Sequence, residues 1–208
     1  MGHFDAIPPR EPSPRRRRPA LPAWSRPDGV MPVSLPLGRF LVRTPWLVVF
    51  ADGLRVLPTG FEFALHVRRD LRPRDVARGE AVDWQPPFVQ EHDSEDQLRF
   101  GVLFPDGRRA VAQQGWSVEW RTPEGPRPPV IAPQDGSGSW DHWDQSFWVW
   151  GLPAGGPITV FYSWAEEGVP ETRFELDGDA LRAAAAETLV FWPEPEPEPE
   201  QDAEPEQD

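Results

Sequence analysis

The chain has 208 residues with no Cys and no Lys, which removes disulfides, zinc–thiolate sites and thiol catalysis together. Its formal net charge is −13, a poor match to nucleic acid or an anionic membrane, whose phosphates must be met by clustered Lys or Arg. The charge is uneven: residues 1–27 carry six Arg against Asp5 and Glu11, residues 193–208 carry eight acids and no base, and the middle is therefore also acidic.

Every basic residue is Arg and Asn is absent, a pattern of GC-rich codon usage more than of guanidinium chemistry. Arg15 to Arg18 look like the start of an export signal, but Pro19, Pro22, Trp24, Arg26 and Asp28 break up the apolar stretch that should follow. No run reaches the ~18 apolar residues of a membrane span. The expected compartment is the cytoplasm.

Taken in chain order, residues 1–27 form a Pro/Arg-rich arm whose prolines prevent a helix or central strand, and the arm is expected to be disordered. Val30, Met31, Val33, Leu35 and Leu37 bring back an apolar alternation suited to docking along a sheet edge. Trp46 to Phe50 reads as a strand, and Asp52-Gly53 supplies the residues of a type I′ hairpin turn. Phe61, Phe63, Leu65 and Val67 alternate with Glu62, Ala64, His66 and Arg68, the signature of a strand with one buried face. Leu98 to Phe104 repeats the pattern, turns at Pro105-Asp106-Gly107 and returns through Arg109 to Ala112.

Further strands are expected at Trp116 to Trp120, Phe147 to Leu152, Ile158 to Trp164 and Thr172 to Leu176. A short helix over Ala180 to Glu187, capped by Asp177 or Asp179, carries Leu181, Ala184, Ala185 and Leu189 on one stripe toward the core. Residues 188–192 close the domain as a strand or strap. Pro193 to Asp208, a Pro-Glu alternation followed by more acids, lacks the apolar area to order itself and is expected to be a disordered tail. Short strands, frequent turns and no βαβ alternation predict an all-β fold: an antiparallel immunoglobulin-like β-sandwich over residues 28–192, with a barrel as the alternative.

Several blocks then stand out together: Pro58-Thr59-Gly60-Phe61-Glu62-Phe63, Leu98-Arg99-Phe100-Gly101-Val102 with Asp106-Gly107-Arg108, Trp143-Asp144 with Phe147-Trp148-Val149-Trp150-Gly151-Leu152-Pro153, and Glu171-Thr172-Arg173-Phe174-Glu175. Over roughly residues 24–193 their order and spacing resemble a family of small proteins from high-GC actinobacteria without an assigned activity. The resemblance implies a bacterial origin and one folded unit, and it implies no catalytic residue.

Two long polar segments, 70–97 and 121–145, are the natural places for a site. Asp135 to Asp144 has oxygen ligands at the density of a calcium loop but lacks the bidentate Glu of an EF-hand. His92 and His142, each flanked by acids, could share a metal if the loops meet. Ser146 and Ser163 have no Gly-x-Ser-x-Gly elbow to present them as nucleophiles. Trp148 and Trp150 are expected in the core, with Trp140 and Trp143 as the more exposed loop pair. The candidate ligand-binding residues are thus Trp140, Trp143, His142 and Asp144, with no catalytic residue, metal or cofactor assigned. The expected role is a non-enzymatic module for a protein partner, and the alternative is a loop-built hydrolase.

Overall fold

The computed structural model describes residues 21–70, 97–112, 125–139 and 141–192. Among these the chain is mainly β, with every strand pairing antiparallel and a single short helix. One sheet is built from β2 (Val33–Ser34), β3 (Gly38–Arg43), β4 (Leu47–Leu57), β5 (Gly60–Arg69), β8 (Val130–Gly138) and β9 (His142–Trp150). Its order is β2-β4-β5-β9-β8, with β3 pairing the same strand, β4. The second sheet has the order β11-β10-β6-β7, from β6 (Leu98–Leu103), β7 (Arg109–Val111), β10 (Pro157–Trp164) and β11 (Val169–Asp177). A separate two-stranded ladder joins β1 (Val30–Met31) to β12 (Leu189–Val190).

The period-two reading explains the core. Phe61, Phe63, Leu65 and Val67 of β5 face inward with Phe147 and Val149 of β9, while the other sheet contributes Phe100, Val102, Ile158, Val160, Tyr162 and Trp164. The Phe100 ring meets Phe63 at 5.8 Å and Phe147 at 4.4 Å, both edge-on, and so ties the sheets together. Edge-to-face contact suits the ring quadrupoles as well as burying their area.

Tyr162, the chain's single Tyr, donates its hydroxyl to the Leu41 carbonyl at 2.7 Å, from the second sheet to β3 of the first. Burial pushes its phenol above the ordinary value, with a hydrogen bond to Thr172 and the charge of Arg39 working the other way. A raised folded-state pKa contributes stability that is complete below the unfolded value of about 10 and is lost as pH rises through the folded one. Tyrosinate absorbance should therefore show a midpoint above 10 in the native protein. Tyr162→Phe should flatten the alkaline fall in stability while costing about 1–2 kcal/mol at neutral pH, measured by urea unfolding.

Asp52-Gly53 is not a hairpin turn. It lies inside the 11-residue β4, where the pairing with β5 slips by one residue between Asp52 and Arg55 and Gly53 takes φ +66°. The extra residue rephases the strand: Leu47, Val49 and Ala51 point inward before the bulge, Leu54 and Val56 after it. The turn comes later at Pro58-Thr59, between paired Leu57 and Gly60.

Segment 121–145 also departs from expectation. Residues 130–138 and 142–150 are the two strands of a hairpin, and β8 is an edge strand, where Pro133 is tolerated. The buried Gln145 amide donates to the Gln134, Asp135 and Ser146 carbonyls and pins the irregular middle of β8.

The helix α1 (Gly178–Ala186) is capped by Asp177, whose carboxylate accepts from the Asp179 and Ala180 amides, and it buries Leu181 and Ala184. Leu189 does not continue that stripe; it lies exposed in β12. The strand expected at Trp116 to Trp120, residues 1–20 of the arm and the tail 193–208 lie outside the described residues, whereas residues 22–27, expected to be disordered with the rest of the arm, are packed through Trp24 and Arg26. No described helix is long and apolar enough to cross a membrane.

Candidate binding face

The side of the six-stranded sheet away from the core is divided in two. One half is covered by residues 22–27, which the proline pattern assigns to the arm. There Trp148, fully buried, donates its indole N–H to the Trp24 carbonyl at 2.9 Å, and the Trp24 ring stands edge-on to Trp150 at 6.5 Å. Beside them the Glu62 side chain, 4% exposed, is held by Arg26 through both carboxylate oxygens and by Arg55 at 2.6 Å. The strand β9 is apolar on both faces for this reason: Phe147 and Val149 fill the core, and Trp148 lies under the strap.

The other half is left uncovered by the arm among the described residues and carries one continuous cross-strand row, half-buried at Phe50, His66 and Asp144. Phe40 opposes Phe50, Phe50 opposes His66, His66 opposes Asp144, and Asp144 opposes Ser137. The Phe50 ring stacks on the His66 imidazole at 4.5 Å, and Phe40 meets Phe50 edge-on at 6.3 Å. His66 Nδ1 lies 2.6 Å from Asp144 and Nε2 lies 2.9 Å from Asp52, so both ring nitrogens must carry a proton for both contacts to be hydrogen bonds. Arg68 donates to the same Asp144 oxygen at 2.6 Å and lies over the Phe50 ring at 5.7 Å.

Partial burial works against the charge on Asp144, but hydrogen bonds from Arg68 and His66, with their positive charge, outweigh it and hold the carboxyl below its ordinary value. Its contribution to stability is in place at neutral pH and is lost as pH falls through that lowered value.

Along one margin of this half is a concavity of about 590 Å³ lined by Thr44, Trp46, Arg68, Asp70, His142 and Asp144, among others. Asp70 and Asp141 begin or belong to the two long polar segments of the sequence, and the Arg69 amide donates to the Asp141 carbonyl at 2.7 Å. The near ends of those segments therefore meet. His142 is paired with its neighbour Asp141 at 2.8 Å.

Of the four candidate residues from sequence, His142 and Asp144 lie together here. Trp143 does not: it alternates with them onto the opposite face, opposes the buried Val67 and packs against the core, with its indole N–H buried and without a partner among the described residues. Trp140 and His92 lie outside the described residues.

Asp135 to Gly138 and His142 to Asp144 belong to two paired strands instead of a calcium loop, and no group of three His, Asp or Glu able to hold a metal occurs among the described residues. Ser146 opposes Ala64 and Ser163 opposes Arg99, so neither is set against a histidine by its register. Sequence reasoning places His66 only on the polar phase of its strand and does not single out Phe40, Phe50 or Asp52 as site residues. For His66 and Asp52 the signal is a polar phase within apolar strands, Phe40 and Phe50 carry none, and the contacts that align His66 with the two carboxylates join positions 14 and 78 residues apart.

A comparison with family models, with curated proteins and with solved structures returns no match.

Proposed function

We propose that this chain is a non-enzymatic binding module, an immunoglobulin-like β-sandwich of bacterial cytoplasm, that recognises a protein partner through the open half of its six-stranded sheet. The observation that carries this reading is the pairing of exposed aromatic surface with a clamped polar row. Phe40 is 61% exposed and Trp46 39% exposed, and Arg43 lies over the Phe40 ring at 5.5 Å. Aromatic and Arg side chains with a polar surround are the composition of protein interfaces. His66 has a carboxylate on each nitrogen, which leaves it neither a free base nor a free metal ligand. The resemblance to an actinobacterial family over residues 24–193 supports the bacterial origin.

The second reading is a hydrolase, metal-dependent in one form, built from segments 70–97 and 121–145. The meeting of Asp70 with Asp141, His142 and Asp144 around one concavity favours it.

The deciding experiment pairs cross-linking capture, using the full chain and Phe40→Ser/Trp46→Ser, with hydrolysis assays on ester and phosphoester panels with and without divalent metal. Capture of a defined protein that falls at least about tenfold in the double variant, the loss of 1.4 kcal/mol or more expected of interface aromatics, supports the module. Hydrolysis abolished by His142→Ala supports the enzyme and overturns the module.

A further inference from the structure

The ladder β1·β12 presents a second apolar surface, away from the His66 row. Met31, Leu189, Val190, Phe191 and Trp192 are each more than half exposed. The Phe191 and Trp192 rings stand edge-on at 4.9 Å, and both amides donate to the Gly29 carbonyl. A Cβ on Gly29 would collide with the Trp192 backbone, so this close approach requires glycine. The patch is thus a built feature, and apolar groups in such a cluster mark an interaction site.

Two stretches of chain flank it. The acidic run begins at Pro193, directly after Trp192, and holds eight carboxylates to Asp208. The arm reaches Gly29 from the other side and carries Pro8, Pro9, Pro12, Pro14 and Pro19 with Arg10 and Arg15 to Arg18.

We propose that the occupant of this patch is the chain's own arm, residues 8–19. Closely spaced prolines favour an extended polyproline conformation that loses little entropy on docking, and their rings pack on aromatic side chains. Guanidinium groups stack on indole faces and pair with carboxylates, which the neighbouring acidic run supplies. Arg18 precedes Gly29 by only eleven positions. At no more than about 3.6 Å per residue it remains within about 40 Å of the ladder, and the contacts of Trp24 with Trp148 and of Arg26 with Glu62 fix part of the intervening chain and so limit how far the arm can stray. A second copy is the poorer fit, since a patch-to-patch dimer brings together two chains of formal charge −13.

The absence of Cys makes the test direct. Ser13→Cys in the full chain provides one thiol for a bimane label, whose fluorescence is quenched by contact with an indole. At low salt the label should be quenched. Trp192→Ser should raise its intensity by at least about twofold, the change for an arm docked more than half the time.

Replacing Arg15 to Arg18 by Ser should give the same rise, and so should a shift to 0.5 M salt, which shortens the Debye length to roughly 4 Å. Intensity unchanged by Trp192→Ser or by loss of the arginines overturns the proposal. Quenching that disappears on dilution overturns it in favour of a second copy.

Discussion

Replacing Arg26 and Arg55 together by alanine should lower unfolding free energy by about 3–5 kcal/mol, because it leaves a buried carboxylate with neither of its counter-charges. Glu62 is 4% exposed on its side chain, whereas Arg26 and Arg55 reach toward solvent at 30% and 49%. The asymmetry decides the outcome. Removing the carboxylate, as in Glu62→Gln, leaves two cations that water can still reach, and its cost should be clearly smaller.

Each single arginine variant leaves one partner in place, so the double variant should cost more than the sum of the two. Urea unfolding of the four proteins measures this coupling. Arg26→Ala has an added signature: Trp24, two residues away, should detach from Trp148 and Trp150, whereas Arg55→Ala should leave that contact intact.

Phe100→Ala should cost about 3–5 kcal/mol and lower the melting temperature by roughly 6–20 °C, the response of a domain this size to losing a fully buried aromatic ring. Phe100 is 2% exposed and touches Phe63 and Phe147, so the void would open between the sheets where no surface chain can collapse to fill it. Phe40→Ala removes the same atoms from an exposed position and should change stability by less than about 0.5 kcal/mol. Calorimetry on the pair separates what the phenylalanines contribute to the fold from what they present at the surface. Equal losses would show that Phe40 is a structural residue and would weaken its assignment to a binding face.

Strands with one dry and one wet face are legible in the residue pattern itself. Phe61 to Val67 declares its inward phase because Glu62, His66 and Arg68 occupy the other, and the capped helix after Asp177 is equally plain. The Asp-Gly pairs are not equivalent. Asp106-Gly107 closes the β6–β7 turn, with the Gly107 amide donating to the Phe104 carbonyl, while Asp52-Gly53 makes a bulge. A glycine with positive φ serves either geometry, so local sequence alone does not separate them.

β8 is hidden for a different reason. An edge strand has one ladder to satisfy and tolerates Pro133, Gly136 and Ser137, residues that elsewhere spell a loop. The direction of Trp143 is illegible because apolar residues occupy both phases of the stretch that follows it, Phe147 to Trp150, which removes the contrast that sets direction. His66 bridging Asp52 and Asp144 is a product of register across three strands, a relation that no pattern along a single segment contains.

The ladder β1·β12 also fixes how the domain responds to tension. Val30 lies opposite Val190 and Met31 opposite Leu189, so the chain enters at Gly29 and leaves at Phe191 on the same side of the pair. A pull on the two flanking stretches loads the Trp24 and Arg26 contacts on the N-terminal side first and, once they release, peels these strands apart from their open end instead of shearing them together. A module joined to its surroundings at both ends would thus meet force at its N-terminal side through the Trp24 and Arg26 contacts and at its C-terminal side through this short ladder alone.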